Sequence, residues 1–215
     1  MDLIPRLPYL VVEGPIGAGK TTLARRLAAD LGARLLLEKP EDNPFLPRFY
    51  RDPVNGALPA QLGFLLQRAG QVESFQQPDL FDQRWVADFL FDKDRLFAEL
   101  TLTPADLTLY ESVFRRLAWD VKPPSAVIYL TGPVDALLER IARRGRDYEA
   151  GIERRYLEDL SAVYARFFGS YTAAPVIEVD VSQLDLTAEP DHYRQLLVLL
   201  RHPQGYTRLS GTQLL

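Results

Sequence analysis

The sequence has 215 residues, of which 47% are hydrophobic and 25% are charged, and its net charge is −4 at pH 7. This composition is typical of a globular domain with a sizeable core, and it gives no basic field that would attract nucleic acid or an anionic membrane. The absence of cysteine excludes disulfides, thiolate catalysis and cysteine-based zinc sites. No apolar run reaches the ~20 residues needed to span a bilayer and no signal peptide is evident, so we expect a cytoplasmic protein.

A phosphate-binding motif organises the N-terminal part of the chain. Residues 14–21 fit the P-loop pattern G-x-x-x-x-G-K-[ST], after an apolar run at 9–12 that predicts a buried strand. Lys20 would reach the β- and γ-phosphates of a nucleoside triphosphate, and the Thr21 hydroxyl would bind Mg²⁺. The predicted donor-binding residues are Gly14, Pro15, Ile16, Gly17, Ala18, Gly19, Lys20, Thr21 and Thr22.

The remaining chain alternates short apolar runs with amphipathic segments. This pattern predicts an α/β P-loop fold in which helices cover both faces of a five-stranded parallel sheet. The strands are predicted at 9–12, 34–37, 85–87, 126–130 and 176–179. The helices are predicted at 22–31, 45–51, 58–77, 90–100, 104–120, 133–143, 152–171 and 190–201. We expect one domain over residues 1–202, followed by a tail at 203–215 that lacks a periodic pattern.

Acidic residues follow several of the predicted strands. Ligands of an open parallel sheet bind beyond the carboxyl ends of its strands. Glu38 follows the second predicted strand and Asp88 the third, so both would lie beside the P-loop. In phosphoryl transfer one acid can accept the proton of an attacking hydroxyl, and another can hold Mg²⁺ directly or through water. Asp180, after the last predicted strand, is assigned to the donor site.

Arginines cluster at the end of the helix predicted at 133–143. Arg140 and Arg144 are four residues apart and share a helix face, and Gly145 then offers a flexible break. A mobile arginine-rich segment over about 143–151 suits a lid that neutralises charge on a transferring phosphate. The alternative is a solvated basic helix end. The cluster comprises Arg140, Arg143, Arg144 and Arg146.

Three segments together resemble the deoxyribonucleoside kinases, most closely the bacterial deoxyadenosine/deoxyguanosine kinase branch. They are Gly14–Thr21, the segment Glu38…Asn43-Pro44-Phe45, and residues 140–149. The resemblance extends from about residue 8 to about residue 180. It implies transfer of the γ-phosphate of ATP, with Mg²⁺, to the 5′-hydroxyl of a deoxynucleoside in nucleotide salvage. It also implies a dimer through the helices at 58–77 and 104–120, most simply a homodimer although a heterodimer is possible.

The resemblance also assigns roles to individual residues. Glu38 matches the general base, and Asp88 matches the acid of the metal-binding network. Tyr50 and Glu149 match the pair that holds the sugar 3′-hydroxyl. The catalytic set predicted in this way is Lys20, Glu38, Arg140, Arg144 and Arg146.

Base recognition is predicted on the helix at 58–77. Gln61 and Arg68 lie seven residues apart on one helix face, among apolar neighbours. A glutamine amide can pair with an adenine edge and an arginine with guanine O6 and N7. In the family, Gln61 matches the base-binding glutamine, and Arg68 with Asp94 matches an arginine–acid pair near the exocyclic group. These matches predict a purine preference; the alternative is an exposed glutamine and a surface ion pair.

The chain departs from the family at one catalytic motif. Where the family usually has acid-Arg-Ser, this sequence has Asp88-Phe89-Leu90, without the arginine that contacts the 5′-hydroxyl and phosphate. Either Lys93 or Arg84 can substitute, and the sequence does not choose between them. Two other functions stay open: a nucleoside monophosphate kinase similar to thymidylate kinase, and a nucleotide-binding partner subunit with little activity of its own.

Overall fold

A six-stranded, fully parallel sheet forms the centre of the fold. The computed structural model describes residues 7–75, 84–117 and 121–210. Along the sheet the strands follow the order β2-β3-β1-β4-β5-β6. They are β1 Tyr9–Glu13, β2 Arg34–Leu36, β3 Trp85–Ala87, β4 Ala126–Thr131, β5 Val176–Asp180 and β6 Tyr206–Leu209.

The helices confirm the predicted alternation. They are α1 Lys20–Leu31, α2 Leu46–Arg51, α3 Pro53–Phe75, α4 Lys93–Thr101, α5 Pro104–Arg116, α6 Val134–Arg144, α7 Arg154–Ser170 and α8 Pro190–Leu199. Helix α3 begins at Pro53 rather than at residue 58, because proline is well tolerated in a first helical turn. The predicted helical residues 76–77 and 118–120 lie outside the described residues. Within the described ranges, no helix is both long and apolar enough to cross a membrane.

The prediction of five strands is wrong, because residues 206–209 of the predicted tail form β6. This strand pairs in parallel with β5, from Val176 opposite Tyr206 to Val179 opposite Leu209. The four-residue run Tyr-Thr-Arg-Leu is too short and too polar to stand out in the sequence, since an edge strand needs only one buried side chain. Residues 211–215 of the predicted tail lie outside the described part of the chain.

Burial along the central strand shows that both faces of the sheet are covered. All five residues of β1 are buried, and side chains alternate between the two faces along a strand. Because β1 lies between β3 and β4, the loops that follow these three strands meet at one edge of the sheet. That edge therefore holds the P-loop, Asp88 and the start of α6.

Helices α2 and α3 approach each other closely at a glycine. A Cβ atom added to Gly56 would lie 2.6 Å from the Phe49 Cα atom and 2.7 Å from the Phe49 backbone nitrogen. Backbone atoms of a helix cannot yield to such a contact without moving the helix. Gly56 therefore sets the position of α2, which carries the next residue, Tyr50.

We expect Gly56→Ala to destabilise the fold by about 1–3 kcal/mol relative to Gly70→Ala, because the first overpacks the α2–α3 contact. Gly70 lies on the same helix with no atom within 4 Å of an added Cβ. Its replacement by alanine should gain up to ~1 kcal/mol from helix propensity. Urea unfolding of both variants measures the difference, and equal free energies of unfolding would contradict this account of the helix contact.

Candidate active site

At two positions the P-loop backbone packs too closely on neighbouring backbone to leave room for a side chain. Gly14 and Gly17 have φ angles of 149° and 86°. Added Cβ atoms would lie 2.3 Å from the Leu130 carbonyl oxygen and 2.6 Å from the Leu137 carbonyl oxygen. The loop therefore packs directly on β4 and α6. It leads into α1 at Lys20, where free backbone N–H groups and the helix dipole favour an anion.

Asp88 connects three parts of the site. Its Oδ2 atom accepts a hydrogen bond from the Thr21 hydroxyl at 2.5 Å, and its Oδ1 atom accepts one from the Glu38 backbone nitrogen at 2.7 Å. Burial raises the pKa of the Asp88 carboxyl, and these two hydrogen bonds act in the opposite direction. The ammonium of Lys20 donates to the carbonyl oxygens of Gly14 and Pro15 at 2.8 and 3.1 Å.

Thr21 and Asp88 fit the ligands of a magnesium ion. A hydroxyl and one carboxylate are hard oxygen donors, and Mg²⁺ in such sites takes its other ligands from phosphates and water. The described residues contain no group of three or more metal-ligating side chains. The donor set therefore suits a metal that arrives with a triphosphate better than a permanent protein-held ion.

A cavity of about 480 Å³ opens between the P-loop, the ends of β2 and β3, helices α2 and α3, and the segment after α6. We call it the central cavity. It brings together most of the predicted residues, including Lys20, Thr21, Glu38, Tyr50, Gln61, Arg68, Asp88, Arg144, Arg146 and Glu149. Of the predicted catalytic and substrate-binding residues, Arg140 and Asp94 do not line it.

Two cations hold the carboxylate of Glu38. Arg68 contacts its Oε1 atom, and the Lys93 ammonium lies 2.9 Å from its Oε2 atom. Burial alone would raise the pKa of Glu38, but Lys93 and Arg68 hold that pKa at about 2. The carboxylate is therefore ionised at neutral pH and can accept a hydrogen bond from a hydroxyl in the central cavity.

Gln61 has a fixed orientation at the far end of the central cavity. Its amide nitrogen donates to the Thr101 hydroxyl at 3.1 Å, and that hydroxyl donates to the Phe97 carbonyl at 2.7 Å. Thr101 therefore acts as an acceptor toward Gln61, which leaves the amide oxygen and the second N–H for a ligand. Phe64 and Phe97 line the same end of the cavity and offer apolar surface to a planar base.

Arg68 forms the predicted ion pair with Asp94, as well as the contact with Glu38. Asp94 is only 1% exposed, so it acts on the cavity through Arg68 rather than by direct contact. The guanidinium thus links the Glu38 carboxylate to the helix that begins at Lys93. Such a shared cation orients both carboxylates without facing solvent.

The segment after α6 closes one side of the central cavity. Arg144 forms a bidentate pair with Glu149, in which Nη2 donates to Oε1 at 2.7 Å and Nε donates to Oε2 at 3.0 Å. Arg146 donates to the Tyr148 hydroxyl at 2.7 Å.

The same segment packs against α2, because an added Cβ on Gly151 would lie 3.2 Å from the Tyr50 carbonyl oxygen. Burial raises the pKa of Tyr50, and the nearby Tyr156 and Glu149 raise it further. Its hydroxyl therefore stays neutral.

A second cavity of about 420 Å³ lies on the other side of the P-loop, between α6 and the loop after β5. We call it the side cavity. Arg140 lines it and donates to the Val181 carbonyl at 2.9 Å.

Two sets of hydrogen bonds hold the loop after β5. Asp180 accepts hydrogen bonds from the Ser182 backbone nitrogen and hydroxyl at 2.8 and 2.6 Å. Arg26 on α1 donates to the Leu186 and Thr187 carbonyls at 2.8 and 2.9 Å and so ties the loop to the P-loop helix.

Sequence reasoning missed Glu13, which is fully buried at the end of β1. Its carboxylate accepts from the Gly14 backbone nitrogen at 2.9 Å, the Leu90 backbone nitrogen at 2.6 Å and the Tyr164 hydroxyl at 2.9 Å. It thereby joins the start of the P-loop to the segment after β3 and to α7. A charged residue that ends an apolar strand directly before a P-loop is the signal that could have identified it.

The two candidates for the missing arginine lie in different places. Arg84 precedes β3 at the opposite edge of the sheet and donates to the Leu31 carbonyl at 3.5 Å. Lys93 lines the central cavity and contacts Glu38. Phe89 is fully buried, and its ring meets Phe91 edge-on at 5.0 Å between centroids. The side chain at position 89 therefore belongs to the core and does not line the central cavity, although its ring centre lies 5.6 Å from the Arg68 guanidinium.

Comparisons with known proteins identify similar sequences and a similar fold. A deoxyguanosine kinase of Bacillus subtilis (strain 168) is 39% identical over 158 residues, covering 73% of this chain and 76% of that protein. A deoxyadenosine/deoxycytidine kinase of the same organism is 30% identical over 193 residues, covering 85% and 87%. A solved structure of deoxyadenosine kinase from M. mycoides with bound dATP has a TM-score of 0.76 at 23% identity, covering 88% of this chain and 99% of that chain.

The sequence and the fold therefore both have known relatives that extend over most of this chain. The family model described as deoxynucleoside kinase matches residues 10–201. This match covers the P-loop, the segment after β2, the arginine-rich segment and β5. The chain belongs to the deoxynucleoside kinase family.

Proposed function

We propose that this protein transfers the γ-phosphate of ATP to the 5′-hydroxyl of a purine deoxynucleoside, deoxyadenosine or deoxyguanosine. One observation supports it most: the ionised carboxylate of Glu38 lies in a cavity bounded by the P-loop at one end and by Gln61 at the other. A hydroxyl that is hydrogen-bonded to Glu38 would face the phosphate end, while its base would face Gln61.

On the donor side, the P-loop backbone and the first turn of α1 bind the phosphates, and Lys20 neutralises them. Thr21 and Asp88 would hold Mg²⁺, which when bound supplies further neutralisation of the phosphate oxygens. The side cavity, next to the P-loop and flanked by Arg140, suits the donor's base. Asp180 and Arg26 support the loop that borders it.

On the acceptor side, Glu38 orients the 5′-hydroxyl and accepts its proton. A carboxylate with a pKa of about 2 is a weak base, so proton transfer follows the formation of the new O–P bond rather than preceding it. This order suits the loose transition state of phosphoryl transfer, in which the nucleophile needs positioning more than activation. Arg144 and Arg146 border the same cavity and would neutralise charge on the transferring group.

The assignment of the base rests on Gln61. Its free amide oxygen and N–H offer one acceptor and one donor, which match the N6 amino group and a ring nitrogen of adenine. Arg68 lines the same cavity, with its guanidinium 5.3 Å from the centre of the Phe64 ring. A planar base that stacks on Phe64 would therefore place its edge between Gln61 and Arg68.

Release of ADP with each of the four deoxynucleosides, in the presence of ATP and Mg²⁺, tests the proposed function. We expect higher kcat/KM for deoxyadenosine and deoxyguanosine than for deoxycytidine and thymidine. Turnover with none of the four would reject deoxynucleoside kinase activity, and turnover with deoxynucleoside monophosphates alone would indicate a monophosphate kinase. Activity that appears only after a second chain is added would indicate a partner subunit.

We expect Tyr50→Phe to raise KM for the deoxynucleoside about 3- to 10-fold, because one hydrogen bond to the sugar 3′-hydroxyl is lost. The KM for ATP should not change, since Tyr50 lies at the acceptor end of the central cavity. A 2′,3′-dideoxynucleoside provides the matched control, because it lacks the hydroxyl that Tyr50 would bind. An equal rise in KM for both substrates would show that the phenol does not contact that hydroxyl.

We further propose that the protein forms a dimer through the outer faces of α3 and α5. Leu66 on α3 and Leu109 on α5 are both more than half exposed, and these two helices contact each other. A patch of apolar side chains on two neighbouring helices can be covered by a second copy of the chain. The molar mass in solution, measured by light scattering, tests this proposal.

A further inference from the structure

The central cavity contains a buried cation that the family motif does not account for. Lys93, the first residue of α4, is only 3% exposed and lines the cavity. Its ammonium lies 2.9 Å from the Glu38 Oε2 atom and 4.0 Å from the Glu13 Oε1 atom. The Lys93 ammonium therefore lies between Glu38, the proposed general base, and Glu13 at the end of β1.

The local backbone explains why Lys93 lines the central cavity whereas Phe89 does not. The chain turns sharply after β3, and the Lys93 backbone nitrogen donates to the Leu90 carbonyl at 3.1 Å as α4 begins. This turn buries Phe89 in the core and directs the lysine stem along the Phe97 ring, with Nζ 5.7 Å from the ring centre. A lysine stem packs well on apolar surface while its ammonium reaches a polar site.

The ammonium of Lys93 has unused hydrogen-bonding capacity. Of its three N–H donors, one is used by Glu38, and no other acceptor lies within hydrogen-bond distance among the described residues. A buried cation with free donors is costly unless a ligand oxygen completes its coordination. Lys20 also lines this cavity. Burial and the nearby Lys93 both lower the pKa of Lys20.

The other cations near Glu38 are already engaged. Arg68 contacts both Glu38 and Asp94, and Lys20 donates to two carbonyl oxygens of its own loop. Arg84 lies at the opposite edge of the sheet, beside Leu31. Lys93 is therefore the cation best placed to contact an oxygen that is hydrogen-bonded to Glu38.

We propose that Lys93 binds the 5′-oxygen of the acceptor and an oxygen of the phosphoryl group that joins it, in place of the arginine absent at position 89. This inference rests on the proposed function. In the reaction the new bond forms between the 5′-oxygen and the γ-phosphorus, and the bond from that phosphorus to the ADP oxygen breaks. The hydroxyl proton goes to Glu38. Lys93 keeps its own protons and stabilises the negative charge on the product phosphate.

Lys93→Gln tests this role, because glutamine retains a hydrogen-bond donor for Glu38 but removes the charge. We expect kcat to fall about 10²-fold, which is the usual cost of losing one transition-state donor. Affinity for the deoxynucleoside monophosphate product should fall at least about 10-fold, because a charge-assisted hydrogen bond is lost. Affinity for the deoxynucleoside itself, measured by calorimetry, should change much less, since that ligand has no phosphate.

Two variants provide controls. Arg95→Gln removes a cation two residues away on the same helix, where the side chain is exposed and pairs with Glu99. It should leave turnover and both affinities unchanged. Lys93→Arg restores the charge and should recover part of the lost kcat and of the lost monophosphate affinity.

The outcomes separate this inference from the function on which it rests. A wild-type protein that phosphorylates no deoxynucleoside rejects the proposed function. An active wild-type protein whose Lys93→Gln variant retains turnover and monophosphate affinity overturns the role of Lys93. So does an equal loss of affinity for nucleoside and monophosphate, which would indicate a purely structural role. Thermal unfolding identifies folded variants, and Lys93→Met provides the same comparison if the glutamine variant does not fold.

Discussion

Replacing Glu38 with Gln should lower kcat about 10²- to 10⁴-fold, which is the usual contribution of a positioned general base. The amide can still receive a hydrogen bond from the 5′-hydroxyl, but it cannot take the proton. Affinity for ATP should stay nearly constant, because the P-loop, Lys20 and Thr21 bind the donor from the other end of the cavity. Single-turnover kinetics and ATP titration measure the two quantities separately.

The control for this prediction is Glu99→Gln, which removes one carboxylate from the exposed end of α4. It should leave kcat unchanged. The Glu38 variant also leaves Arg68 and Lys93 without their anionic partner, so its thermal unfolding must be recorded as well. A folded Glu38→Gln protein with wild-type turnover would show that another group receives the proton.

Replacing Arg144 with Gln should reduce kcat about 10³-fold, the lower range measured for arginines that stabilise a transferring phosphoryl group. The structure adds a second effect, because Arg144 is also the bidentate partner of Glu149. Loss of this pair would free the carboxylate that is proposed to hold the sugar. We therefore expect KM for the deoxynucleoside to rise as kcat falls.

Arg155→Gln is the matched control, because the Arg155 side chain is 89% exposed at the start of α7 and its Nε atom lies 4.0 Å from the Asp159 carboxylate. Pre-steady-state rates with saturating ATP separate the two effects of the Arg144 change. If KM rises while the chemical step keeps its rate, Arg144 serves only to orient Glu149. If both change, the arginine has both roles.

Much of this molecule was predictable from short sequence patterns. The P-loop, the acid after β2 and the arginines around Gly145 each combine a particular residue type with a fixed spacing, and together they indicated the deoxynucleoside kinase family, which the family match confirms. Apolar runs also predicted five of the six strands. Strand β6 was missed because its side chains are mostly exposed, and its pairing with β5 depends on contacts distant in sequence.

Individual contacts within the site were less accessible from sequence. The pattern did not show that Arg68 reaches Glu38, or that Asp94 is screened from the cavity by the arginine that it pairs with. These contacts depend on how α3 and α4 pack against each other, and these helices are distant in sequence. Lys93 is a similar case, because only the turn after β3 determines which side chain points inward.

The contacts of Arg26 have a consequence for how the enzyme moves. Helix α1 carries Lys20 and Thr21 in its first turn. Arg26 on the same helix donates to the carbonyls of Leu186 and Thr187, and its guanidinium lies 3.7 Å from the centre of the Tyr193 ring. The phosphate side and the base side of the proposed donor site are therefore both attached to helix α1. We therefore expect that the site does not release its nucleotide by spreading those two sides apart. We propose instead that exchange of ADP for ATP depends on movement of the proposed lid about Gly145, so that the release of one product and the closure over the next substrate pair are movements of the same segment.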